Sequence, residues 1–163
     1  MTTVVPFEPT ATSAFTFQAT LDGGQYAVSV PWNLYGQRYY VQIADTSGNL
    51  IVNRALVGSP AALQIQTASW ANGTVSVQVV SPYYFPFGSV VEATISGCLP
   101  NTYNGQYLIT VLGPSSFSYP LANDPGQLSL AGSVQDNINL AAPYFQTSTL
   151  VYRSQLQQFE ITP

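Results

Sequence analysis

Apolar and polar positions alternate with a period of two along most of this chain. Phe15, Phe17, Ala19 and Leu21 are spaced by Thr16, Gln18 and Thr20, and Tyr26, Val28, Val30 and Trp32 by Ala27, Ser29 and Pro31. Asp22-Gly23-Gly24 between the two runs has turn chemistry, so the segment predicts a hairpin with one buried and one polar face. Tyr39, Val41 and Ile43 alternate with Arg38, Tyr40 and Gln42. The chain then turns at Asp45-Thr46-Ser47-Gly48-Asn49 and returns over Leu50 to Leu56, which predicts a second hairpin.

A weaker strand is expected at Ala62 to Gln66, and a second block begins near Trp70. Val75, Val77 and Val79 form one strand of that block and Val91, Ala93 and Ile95 another. Asn101 to Gly105 reads as a turn, Tyr107, Ile109 and Val111 as a strand, and Phe117-Ser118-Tyr119 as a short one. Strands are also expected at Thr149 to Arg153 and Leu156 to Ile161. No window has a helical stripe, and Glu and Lys, both good helix formers, are nearly missing while Val, Thr, Tyr and Phe abound. Short strands at intervals of about 8 to 12 residues predict an all-β fold, a small antiparallel barrel or sandwich.

Composition narrows the chemistry. The chain has 163 residues with no His, one Cys, three Arg, no Lys and seven acidic residues, for a net charge of -4. Histidine bases and ligands, thiolate metal clusters, internal disulfides and lysine Schiff bases are thereby excluded. Three scattered Arg cannot neutralise a phosphate backbone, so no nucleic-acid partner is expected. Charged residues make up 6% of the chain, against roughly 25% in an average soluble domain. The stretch Ala55 to Val91 contains no charge at all. A surface of neutral amides and hydroxyls desolvates cheaply, which suits a part surrounded by other protein. The start lacks the basic and apolar regions of a signal peptide, and no long apolar run predicts a membrane span. Asn72-Gly73-Thr74 has the form of a glycosylation sequon, which matters only in a secretory pathway that nothing else here supports.

The acidic residues Glu8, Asp22, Asp45, Glu92, Asp124, Asp136 and Glu160 are the acid–base material. Asp22 and Asp45 occupy turns, where Asp bonds to its own local backbone. Glu92 and Glu160 fall on strands, facing solvent or a neighbouring subunit. No catalytic residue, metal site or cofactor is expected, and the protein reads as a non-enzyme. Interface candidates are Tyr83, Tyr84, Phe85 and Phe87 in a Pro-stiffened aromatic loop, with Arg38, Tyr40 and Arg153. Packing into its own core and sugar stacking are the other uses of such a loop, but no Asp, Asn or Arg adjoins it to bind hydroxyls. Trp32 and Trp70 are expected in a core or at a domain junction, and Cys98 as an inert buried thiol.

Two resemblances cover most of the chain. Phe17-Gln18-Ala19-Thr20-Leu21-Asp22-Gly23 with Tyr26, Trp32-Asn33, Gln37-Arg38-Tyr39-Tyr40 and Asp45 to Asn49 resembles the small baseplate plug proteins of contractile-tailed bacteriophages. Phe87-Gly88-Ser89-Val90-Val91, Ile95-Ser96-Gly97, Tyr103-Asn104-Gly105-Gln106-Tyr107 and Ser116-Phe117-Ser118-Tyr119 is similar to a β-rich module found inside phage tail proteins. That module usually opens with His-Gly-Leu, where this chain has Pro82-Tyr83-Tyr84-Phe85-Pro86. The resemblances imply a discontinuous plug-like domain, 1–67 plus 139–163, with a tail module, 68–138, inserted in it. They further imply a structural part of the virion tail, at the inner baseplate. It would be assembled in the host cytoplasm as a ring of three or six copies against tube, hub or spike proteins, with no membrane partner. The alternative is a receptor- or carbohydrate-binding module of a tail tip or fibre.

Overall fold

The computed structural model describes residues 1–10, 12–83 and 85–163, and it is all-β. Among the described residues, fourteen strands follow in chain order: β1 (Thr3–Pro6), β2 (Phe15–Leu21), β3 (Gly24–Val30), β4 (Trp32–Asn33), β5 (Arg38–Ala44), β6 (Leu50–Ala55) and β7 (Leu63–Ala71), then β8 (Thr74–Val79), β9 (Val90–Ser96), β10 (Gly105–Gly113), β11 (Ser116–Pro120), β12 (Ser133–Asp136), β13 (Thr149–Arg153) and β14 (Gln158–Thr162). A single 3₁₀ turn, Asn101–Tyr103, is the one helical element among the described residues.

The chain forms two compact units, one made of Met1–Ser59 with Ile138–Pro163 and the other of Pro60–Asn137. The boundary expected after residue 67 is thus displaced: it would cut β7, which runs unbroken from Leu63 to Ala71. The reason is a bulge. Leu63 and Ile65 face the core, the register against β8 shifts between Ile65 and Thr67, and Ala68 and Trp70 then take over the inward phase. One inserted residue inverts the alternation, so a continuous strand reads as two.

In the first unit, β2, β3, β5 and β4 pair in that order, β6 adds to the far side of β5, and β1, β14 and β13 form a second sheet. All named pairs are antiparallel. The inward residues Leu21, Val28, Val41, Ile43 and Val52 meet Leu150, Phe159 and Ile161 in one core. Phe7 stands at its aromatic end, edge-on to the rings of Phe15, Tyr39, Tyr152 and Phe159 at centroid distances of 5.3–5.6 Å. That edge-to-face geometry places positive ring edges on negative faces. The β2–β3 turn has positive φ at both Asp22 and Gly23, as a two-residue hairpin requires.

The second unit is a closed six-stranded barrel, β10-β11-β8-β7-β12-β9. Its interior is filled by alternate residues of every strand, with Val75, Val77, Ile95, Ile109, Phe117 and Tyr119 fully enclosed. The β7–β8 hairpin turns on Asn72-Gly73, again with two positive φ values. Closure depends on β12, which pairs with β9 on one side and β7 on the other. Gly132 leads into it. A Cβ there would collide with the Ser96 carbonyl oxygen, so only glycine lets β12 approach β9 so closely.

Candidate functional site

The aromatic loop expected to be a surface divides in two. Tyr83 is buried at 8% exposure and packs on Phe117, and Phe85 is half-buried on the barrel core. The Tyr83 hydroxyl donates a very short hydrogen bond to the carboxylate of buried Asp136. Burial, and then the Asp136 carboxylate, hold that hydroxyl protonated well above the ordinary tyrosine range. Tyr83 is therefore a core residue rather than an interface residue. Tyr84 lies outside the described residues. Phe87 alone of the described loop aromatics is open to solvent, at 78% exposure.

Phe87 has unexpected company. Along β10, Ile109 and Val111 point inward, so Leu108 and Leu112 fall on the outer phase, and both are exposed. Val90 on β9 is exposed opposite Thr110, which makes it the diagonal neighbour of Leu108 and Leu112. The Gly88 N–H donates to the Val111 carbonyl and the Val111 N–H to that of Ser89, setting the loop end beside this row. The outer face of β9 and β10 thus carries Phe87, Val90, Leu108 and Leu112, with Thr110 between the leucines and Glu92 directly opposite Leu108. Sequence reasoning missed Val90, Leu108 and Leu112, although the signal was present: Tyr107-Leu108-Ile109-Thr110-Val111-Leu112 has leucines at both outward ends of an otherwise alternating strand.

The cationic candidates also separate. Arg153 is 6% exposed, and its Nε donates to Glu160 Oε2 at 2.9 Å across the β13–β14 pair. It is held inside its own unit, so it offers no surface to a partner, and Glu160 does not face a neighbour as a free charge. Arg38 is exposed at the start of β5, with its Nε 3.4 Å from the Gly36 carbonyl. Arg54 reaches the Asn139 carbonyl at 3.4 Å.

Tyr40 lies in a groove of about 400 Å³ on the outward face of the open sheet. Val41, Ile43 and Val52 turn inward, so Tyr40 and Gln42 of β5 face out, with Asn53 of β6 directly opposite Gln42. The segment from Pro31 to Tyr35 forms the wall, and the Asn33 Oδ1 accepts the Gly36 N–H at 2.9 Å, stiffening the turn that carries fully exposed Tyr35. Trp32 corrects an expectation. It continues the inward phase of Val28 and Val30, yet at the strand end it packs edge-on to Tyr39 at 4.8 Å and stays 47% exposed. Trp70 is half-buried on the barrel core, its indole N–H donating to the Leu121 carbonyl at 2.7 Å.

The two turn carboxylates are engaged in structure. Asp22 binds far beyond its own turn: its Oδ1 accepts the N–H groups of Thr147 and Ser148 at 3.0 and 2.9 Å, and its Oδ2 that of Gln146 at 2.6 Å. The backbone bonds from Gln146 and Thr147 hold its carboxyl far below the usual range. Asp45 does stay local, closing its turn on Ser47 and Asn49, and the Asn49 side chain and backbone lower its pKa. Cys98 is buried, and burial pushes its thiol up. Among the described residues, no group of three or more His, Cys, Asp or Glu could hold a metal ion, and no helix is long and apolar enough to cross a membrane. None of the family models, curated proteins or solved structures compared with the chain matches it.

Proposed function

We propose that the protein is a non-catalytic structural component of a contractile phage tail, braced at the inner baseplate between the tail-tube end and the hub or spike. The observation that carries this reading is the apolar outer face of β9 and β10, with Phe87, Val90, Leu108 and Leu112 exposed together. The unit bearing it contains Glu92, Asp124 and Asp136, with Asp136 buried, and no Arg or Lys. Four exposed apolar side chains gain by being covered, with Glu92, opposite Leu108, the one formal charge among them. The plug-like and tail-module patterns in the sequence supply the setting, and rotational copies follow from the symmetry of a tail. Neighbours would be met through side chains on this face. The test is Leu108→Asp in the chain as the phage makes it. Tail assembly is expected to stall while the purified variant keeps the wild-type unfolding midpoint. Finished, infectious tails built with a folded Leu108→Asp protein would overturn the reading.

A further inference from the structure

The groove on the open sheet has a chemistry unlike that of the apolar barrel face. Its floor is Tyr40, Gln42 and Asn53 and its wall includes Asn33 and Tyr35, so aromatic rings alternate with neutral amides. The side-chain amides of Gln42 and Asn53 make no hydrogen bond among the described residues. Each therefore has a carbonyl acceptor and two N–H donors to offer within one small concavity. No charged side chain is among the lining residues, and the nearest cation on this face is Arg38, opposite Asn33 and two residues before Tyr40 on β5. The volume of about 400 Å³ lies in the range that encloses a small ligand.

We infer that this groove binds an uncharged saccharide. A sugar ring has an apolar C–H face that packs on Tyr rings, and a rim of hydroxyls that both donate and accept. Amides are the side chains that answer both roles without carrying charge. A phosphorylated or otherwise anionic ligand would find no cation in the lining. A peptide strand fits poorly for a different reason: this is the face of the sheet, not its edge. β5 is paired on both sides, by β3 and β4 and by β6, so its backbone offers nothing to an incoming chain. The feature that argued against sugar binding at the Tyr83–Phe87 loop, a lack of adjoining hydroxyl-binding side chains, is supplied here by Asn33, Gln42 and Asn53.

This inference goes beyond the structural role and does not rest on it, because it is read on the isolated protein. The experiment is a glycan array probed with the full chain, followed by calorimetric titration of the best uncharged glycan, with chitotetraose and maltohexaose as defined probes. Tyr35→Ala and Asn53→Ala are the variants, since both side chains are exposed and their loss leaves the core intact. The expected result is binding to uncharged glycans that each substitution weakens about ten-fold or more, with no preference for sialylated or phosphorylated members. The inference is overturned if uncharged glycans do not bind, if binding survives both substitutions, or if only anionic glycans are retained.

Discussion

The two units of this chain solve the same problem of unpaired strand edges in opposite ways. In the barrel, every strand has two paired neighbours and the ladder closes on itself, with its shortest seam where β12 meets β7 at Ser133–Gln64 and Val134–Leu63. Its β9–β10 face offers exposed apolar side chains beside Glu92 and Thr110. The other unit leaves its sheets open. β6 has only β5 as a paired neighbour and β1 only β14. Side-chain bonds tie it together: Asp22 grips residues 146–148, far along the chain, and Arg153 pairs with Glu160 within the β13–β14 hairpin. In the barrel, side-chain bonds such as Tyr83 to Asp136 add to a closed ladder, whereas the open sheets, drawn from two distant stretches of chain, have no closing ladder and rely on pins such as Asp22.

That contrast breaks most sharply at Gly132. Gly132→Ala forces a Cβ into the Ser96 carbonyl and should pry β12 from β9, costing roughly 3 kcal/mol. Each unit contains one Trp, so urea unfolding followed by Trp70 in a Trp32→Phe background should fall in midpoint, while Trp32 fluorescence in the complementary background should not. Equal losses in both units would mean that they do not unfold separately. Next in size is Tyr83→Phe, which takes a donor from buried Asp136 and should cost about 1–3 kcal/mol, again in the Trp70 transition. If stability is unchanged, the Tyr83–Asp136 bond contributes nothing net to the barrel.

The smallest effect belongs to the open-sheet unit and is read through pH. The folded-state pKa of Asp22 is depressed, so its contribution is present above the unfolded-state carboxylate pKa of about 4 and fades as pH falls below it. Wild-type protein should lose stability in the Trp32 transition below about pH 4. Asp22→Asn should be less stable at neutral pH and lose less on acidification. Identical acid profiles for wild type and Asp22→Asn would remove Asp22 as the pin.

Much of this fold was legible because alternation is a local signal. The hairpins β2–β3 and β5–β6 follow directly from inward Val, Ile and Leu and outward Thr, Gln and Ser, and β13 runs from Thr149 to Arg153 as its pattern indicates. Strand β12 was not legible, since Ser133 to Asp136 has a single apolar residue, Val134, and is defined by two partners already in place. Asn72-Gly73 was read as a sequon although its turn chemistry sets the β7–β8 hairpin. Partners remote in sequence are invisible to a local reading: Asp22 with residues 146–148 and Tyr83 with Asp136. The surface candidates suffered most. An aromatic at a loop can bury itself, as Tyr83 does, and a Leu in an apolar run can face outward, as Leu108 does. The groove was the least visible of all, because Tyr40, Gln42 and Asn53 meet only when β5 and β6 pair.

The most direct test of the structural role is a cryo-EM reconstruction of the tail of the parent particle with this chain traced. The account predicts three or six copies around the axis, with Phe87, Val90, Leu108 and Leu112 covered by a neighbouring protein in each. A tail in which that face meets solvent in every copy, or one that does not contain the chain, would contradict it.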